Sequence, residues 1–143
     1  MKYRFLCIGL IAMLFSCATA RNVSNKKPVL LDENTFLLTE ISDDASYGYS
    51  EKNPVQVGGG TNDPLNERRY LNALAGPNGE AVSYFRAGSC CYVKSKNAPF
   101  GKVVPLDDYR VTWEGSKDTV SIYINMYDAG ELKAPKGMSI RKY

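Results

Sequence analysis

Cys90 and Cys91 stand side by side, and with Cys7 and Cys17 they are all four cysteines of the chain. A thiol can attack, ligate a metal or form a disulfide, and adjacency narrows that choice. The two Cα atoms lie about 3.8 Å apart across a trans peptide, below the ~4.4–6.8 Å of ordinary disulfides, so a bond between them closes a strained eight-membered ring that reduces readily. The competing expectation is two buried or half-buried thiols, because consecutive strand residues point to opposite faces. An intermolecular disulfide is a third. Lys94 and Lys96 could lower a thiol pKa or simply belong to a solvated loop. Two thiolates with no histidine to join them make a poor zinc site, so no metal and no cofactor is expected.

The second group is Glu67-Arg68-Arg69. At 100° per residue a helix here carries Tyr70, Leu71 and Leu74 on one side with Glu67 between them, and Arg68 and Arg69 flanking. A carboxyl aimed at a core is either a paired structural group or a site residue, because an unpaired buried charge is costly. A third group is aromatic: Tyr123 and Tyr127 share one face of an alternating segment, an apolar plate with polar tips that suits peptide or sugar surfaces. Gly58-Gly59-Gly60 lacks the Gly-Lys-Ser/Thr of a phosphate loop, and Asp63 would place a carboxylate where the anion belongs, so it reads as a turn.

Absences bound the rest. The chain contains no histidine, which removes Ser-His-Asp and Cys-His nucleophile pairs. Its 143 residues are too few for a (β/α)₈ barrel, which takes about 250.

The N-terminus supplies an address. Lys2 and Arg4 precede an apolar run from Phe5 to Phe15, then Ser16 and Cys17. Eleven residues are too few to span a bilayer, which takes about 20, but they fit the apolar region of a secretory signal. Leu14-Phe15-Ser16-Cys17 resembles a bacterial lipobox, in which the cysteine is lipidated and becomes the first residue after cleavage. Residues 1–16 are thus expected to be a lipoprotein signal peptide. Lys2 and Arg4 leave with it, so the net charge falls from +3 to +1 and no basic patch remains for nucleic acid. Residues 17–34 read as a tether, on the order of 20–25 Å end to end if flexible. Ala18 to Lys27 holds no acid, unlike the stretch that follows the lipidated cysteine in surface-exported Bacteroidota lipoproteins. The expected location is the cell envelope, anchored to the membrane through N-terminal acyl chains and facing the periplasm.

These groups must be positioned by a single domain over residues 35–128. Its alternation predicts a strand over 36–41, a helix over 64–75 started by Asp63 and Pro64, and a turn at Pro77-Asn78-Gly79-Glu80. A strand over 81–86 follows. The clean alternation of 109–114 and 119–127 predicts a hairpin, with Val120, Ile122, Ile124 and Met126 facing the core. The fold class is α+β: a four- to five-stranded, mostly antiparallel sheet with one helix packed on one face. Residues 129–143 read as a polar C-terminal tail.

Asn53-Pro54-Val55-Gln56-Val57-Gly58-Gly59-Gly60, Glu67-Arg68-Arg69-Tyr70-Leu71-Asn72-Ala73-Leu74, Gly88-Ser89-Cys90-Cys91 and Tyr123-Ile124-Asn125-Met126-Tyr127-Asp128 together resemble a family of small Bacteroidota lipoproteins with no assigned activity. Some relatives carry a label of 2-dehydro-3-deoxyphosphooctonate aldolase, an enzyme that resembles a (β/α)₈ barrel and does not fit a chain of this length. The resemblance implies no catalytic residues; if the family has a site, the motif residues point to a candidate cluster of Glu67, Arg68, Arg69, Cys90 and Cys91. The expected function is a lipid-anchored binding or interaction module with an envelope protein or glycan as partner. The alternatives are a thiol-dependent redox or sugar-handling enzyme using Cys90 or Cys91, and a toxin-immunity-type protein.

Overall fold

The computed structural model describes residues 27–58 and 64–143; the signal segment, Cys17, Gly59, Gly60 and Asp63 lie outside the described residues. In chain order the elements are β1 (Leu30–Asp32), β2 (Thr35–Phe36), β3 (Val55–Gln56), α1 (Pro64–Asn72), β4 (Leu74–Ala75), β5 (Val82–Lys94), β6 (Val103–Trp113), β7 (Val120–Asn125) and β8 (Ser139–Ile140). The central sheet has the order β3-β7-β6-β5, antiparallel except for the short parallel pair β3–β7. Two-stranded ladders β1–β2 and β4–β8 flank it. This is an α+β fold with one helix among the described residues, and that helix is too short to cross a membrane.

The hairpin forms where the alternation places it, with Tyr109 opposite Ile122 and Val111 opposite Val120. Gly115 closes its turn at φ +84°, and Gly79 takes φ +93° in the turn after the helix, both conformations that favour glycine. Tyr70 and Leu71 of α1 pack with Tyr109, Val111, Ile122 and Ile124 in one buried cluster. Each such side chain, moved fully from water, contributes about 1.5–3 kcal/mol.

Several boundaries differ from expectation, because partners outside the expected element, some distant and some local, redirect the chain. The helix ends at Asn72 rather than 75, since Leu74 and Ala75 pair with Ile140 and Ser139. The segment 36–41 is a strand only at Phe36; further on, Ile41 bridges to Ala134. The expected tether is ordered at its end, where Leu30 and Asp32 pair with Phe36 and Thr35. The expected tail is built into the core: Ala134 and Met138 are buried, and β8 completes a ladder. Tyr127 falls outside β7, because the Asn125 side chain accepts hydrogen bonds from the Tyr127 and Asp128 amides and turns the chain.

Gly58 explains part of the glycine run by close approach. A Cβ there would lie 2.7 Å from the Tyr127 carbonyl carbon and 2.8 Å from the Asp128 backbone. Backbone cannot yield as a side-chain tip can, so Gly58→Ala is expected to lower stability by about 1–3 kcal/mol in a urea titration. Gly79→Ala serves as the comparison, with open space around the added methyl but a positive φ.

Candidate functional site

The site is organised by two irregularities in β5. Its register with β6 runs from Val82 opposite Trp113 to Arg86 opposite Tyr109, skips Ala87, resumes with Gly88 opposite Asp108, Ser89 opposite Asp107 and Cys90 opposite Leu106, then skips Cys91 before Tyr92 opposite Pro105. Directly opposed residues share a face of the sheet. Arg86 and Ser89, three apart, would face opposite ways in a regular strand; the extra residue at Ala87 puts both on the face of Asp107 and Tyr109.

There they make a closed network. Arg86 Nε donates to Asp107 Oδ2 at 2.6 Å, and Arg86 Nη2 donates to Asp107 Oδ1 at 2.8 Å, a bidentate grip. The Ser89 hydroxyl accepts from Arg86 Nη2 and donates to Asp107 Oδ1 at 2.8 Å. Burial would lift the Asp107 carboxyl, but the Arg86 and Ser89 donors outweigh it and hold Asp107 below the usual carboxylate value. The Arg86 side chain is 47% exposed while Asp107 is 8% exposed, so a buried anion is capped by a cation that reaches solvent.

Glu67 lies beneath, fully buried on α1. The Tyr109 hydroxyl donates to its Oε2 at 2.8 Å, and its Oε1 has no hydrogen-bond partner. Burial, and then the negative charge of Asp107, push its carboxyl up to about 7, and the Tyr109 bond opposes them. Two carboxyls with opposite displacements therefore sit close together, one ionised and gripped, the other holding a proton near neutrality. Tyr109 is fixed in turn by an edge-to-face contact with Tyr84, whose hydroxyl donates to Asn72 Oδ1 at 2.7 Å.

Cys90 and Cys91 form a disulfide with each other. The bulge makes this bond geometrically accessible: two residues of β5 stand against Leu106 alone, and Cys91 takes φ +48°, so the usual up-down alternation is suspended. Of the alternatives for these cysteines, the structure holds the vicinal bond rather than two thiols. Ser89, next in sequence to Cys90, links the bulge to the Asp107 network.

The expected cluster is thus divided. Glu67 enters the buried network. Arg68 is exposed, and its charge bears on Tyr84. Arg69 donates to the Glu33 carbonyl at 2.8 Å and to Asn66 Oδ1 at 3.0 Å, tying the helix to the β1–β2 turn. Tyr123 is half-buried on β7 opposite Asp108, on the other face of the sheet, and Tyr127 does not extend that face. Arg86, Ser89, Asp107 and Tyr109 are site residues that spacing alone could not reveal, because period-2 reading sends Arg86 and Ser89 apart.

Tyr92, opposite Pro105, lies on the face of Ser89 and Asp107 and is 75% exposed. Phe100 at the hairpin tip is 89% exposed. The tip is held by Asp128, whose Oδ1 accepts from Ser95 Oγ at 2.6 Å and from Asn97 Nδ2 at 2.9 Å. An open cleft of about 740 Å³, lined by residues including Tyr84, Ser139 and Arg141, lies away from Glu67 and the disulfide. Comparison with protein-family models, curated proteins and solved structures finds no match to this chain.

Proposed function

We propose that this protein is a lipid-anchored envelope module, held to the membrane at Cys17, that binds an envelope protein or glycan through the outer half of the β5–β6 hairpin. The observation that carries this reading is the exposure of large aromatic side chains on an ordered, anchored hairpin: Tyr92 and Phe100 stand in water while Asp128 fixes the tip beneath them. Exposed aromatic groups grouped on one structure mark interaction surfaces more often than isolated exposed residues do. Arg86, half in solvent, supplies a guanidinium fixed by Asp107 on the same face of the sheet as Tyr92. The binding face therefore combines stacking with directional hydrogen bonding, which suits a sugar ring or an extended peptide.

A vicinal disulfide favours the thiol-dependent alternative in one respect, because it is a reducible group on that same hairpin.

The test is fractionation followed by cross-linking in the native envelope. Cys17→Ala is expected to move the protein from the membrane to the soluble fraction, and Tyr92→Ser with Phe100→Ser to abolish capture of the partner taken by the wild type. Exposed substitutions of this kind change stability by about 0.5 kcal/mol or less, so the fold should be unaffected. Retention of Cys17→Ala in the membrane, or unchanged capture by the double variant, would refute the proposal.

A further inference from the structure

We infer that the Cys90–Cys91 bond is a redox-set register pin: closed, it presents Tyr92 on the face of Arg86 and Ser89, and opened, it lets the outer end of β5 slip by one residue and turns Tyr92 to the opposite face. This deepens the proposed binding reading by adding its regulation, although the register change itself needs no partner.

The inference starts from the second bulge. Between Cys90 opposite Leu106 and Tyr92 opposite Pro105, Cys91 has no partner of its own and is the only non-glycine with positive φ among the described residues. A residue with a Cβ is disfavoured in that conformation by roughly 1–2 kcal/mol, so something must hold it there. The covalent link between the two side chains does so. Two thiols have no such requirement, and consecutive residues of a regular strand point to opposite faces.

Without the bulge the ladder beyond Cys90 continues as Cys91 opposite Pro105, Tyr92 opposite Val104 and Val93 opposite Val103. A slip of one residue exchanges the faces of every side chain beyond it. Tyr92 would leave the side of Ser89 and Asp107 for that of Val104 and Leu106, and Val93, now opposite Val104, would make the reverse exchange. The slip is local. Ser89 keeps Asp107 as its partner and Arg86 keeps its grip, because the bulge at Ala87 lies on the other side of the cysteines. The loop of residues 95–102, tied to Asp128 at Ser95 and Asn97, takes up the displaced residue. Among the described residues β5 is the edge strand of the central sheet, with no strand paired on its outer side.

The chemistry is a two-electron thiol–disulfide exchange with a dithiol donor. A donor thiolate attacks one cysteine sulfur, breaking the Cys90–Cys91 bond and releasing the other cysteine as a thiolate that takes up a proton. The donor's second thiol then displaces the mixed disulfide, so the donor is oxidised to its own disulfide and both cysteines end as thiols. The bond is within reach of such a donor, because both cysteines are only half-buried.

The test is cross-strand proton contacts in the isotopically labelled full chain, measured oxidised and after reduction with dithiothreitol, with alkylation confirming the thiol state. Oxidised protein is expected to show Tyr92 against Pro105 and Val93 against Val104. Reduced protein is expected to show Cys91 against Pro105 and Tyr92 against Val104, with contacts of Ser89 to Asp107 unchanged. Two variants separate the bond from the conformation. Cys90→Ser with Cys91→Gly should keep the bulge, because glycine accepts positive φ, whereas Cys90→Ser with Cys91→Val should adopt the slipped register. Identical contacts in oxidised and reduced protein overturn the inference, as does a bond that dithiothreitol cannot open in the folded chain. A register that shifts while Tyr92→Ser leaves partner capture untouched would preserve the pin and remove the binding reading.

Discussion

Glu67→Gln is expected to remove a loss of roughly 3 kcal/mol in stability that the wild type undergoes between about pH 4.5 and 7. Burial raises the folded-state value of this carboxyl from 4.5 to about 7, with Asp107 adding to the rise. Below pH 4.5 both folded and unfolded chains hold the proton, and Glu67 contributes no pH dependence. Between 4.5 and about 7 the unfolded chain has released it while the folded chain retains it, so the unfolded state binds fewer protons and stability falls as pH rises. Above 7 both are ionised and the loss is complete. The folded protein then carries a buried carboxylate that the Tyr109 hydroxyl and the Arg86 charge favour but that burial and the Asp107 charge oppose more strongly.

Glutamine has the same length, stays neutral and can accept the same hydroxyl. Its urea midpoint should therefore match the wild type near pH 4.5 and exceed it at pH 8. Other displaced groups act elsewhere. Asp107 and Glu80 are held low, so their contributions are present at neutral pH and fade only in acid. Tyr47 is pushed up to about 12 by burial and ionises far above this window. Equal midpoints for the wild type at pH 5 and pH 8 would contradict the prediction and return Glu67 to the ordinary range. A total stability of about 5–15 kcal/mol is usual for a domain, so a 3 kcal/mol dependence on one side chain is large enough to measure without ambiguity.

The inward direction of Glu67 was legible because helix angles are local: nine residues of α1 place it on the face of Tyr70 and Leu71, whatever the rest of the chain does. Its partners were not. Tyr109 and Asp107 reach it through the register of a sheet assembled from segments far apart in sequence, and Arg86 joins them only through an unannounced extra residue in β5. The hairpin of β6 and β7 was legible for the reason that α1 was, since strict alternation over two neighbouring segments leaves one register that buries Tyr109, Val111, Ile122 and Ile124 together. At Cys90-Cys91 the same alternation rule pointed the wrong way. It assumes a regular strand, and a bulge is the feature that suspends it. Short elements fared worst: β2, β3, β4 and β8 have two residues each, too few to carry any period.

The C-terminal segment shows what composition conceals, and its removal is the other large effect expected. Ending the chain after Asp128 should leave a protein without a cooperative unfolding transition. Pro135, Gly137 and the basic residues between 133 and 142 give the segment the look of a tail, yet it supplies what three tyrosines require. The hydroxyls of Tyr47, Tyr49 and Tyr70 donate to the carbonyls of Glu131, Lys136 and Lys133 at 3.1, 3.0 and 2.9 Å. Tyr70 is fully buried, so loss of its acceptor alone costs about 1–3 kcal/mol. Met138 and Ala134 leave the core, and the chain loses the β4–β8 ladder together with the bonds of Ala134 to Glu40 and Ser42. These losses together approach the whole stability of a domain this size. A graded version keeps the chain intact: Met138→Ala removes a side chain that is 3% exposed and should cost about 2–5 kcal/mol, read as a lowered urea midpoint with an unchanged slope. If the shortened chain retains dispersed amide signals and Met138→Ala leaves the midpoint in place, the segment is an appendage after all, and Tyr47, Tyr49 and Tyr70 must find their acceptors elsewhere.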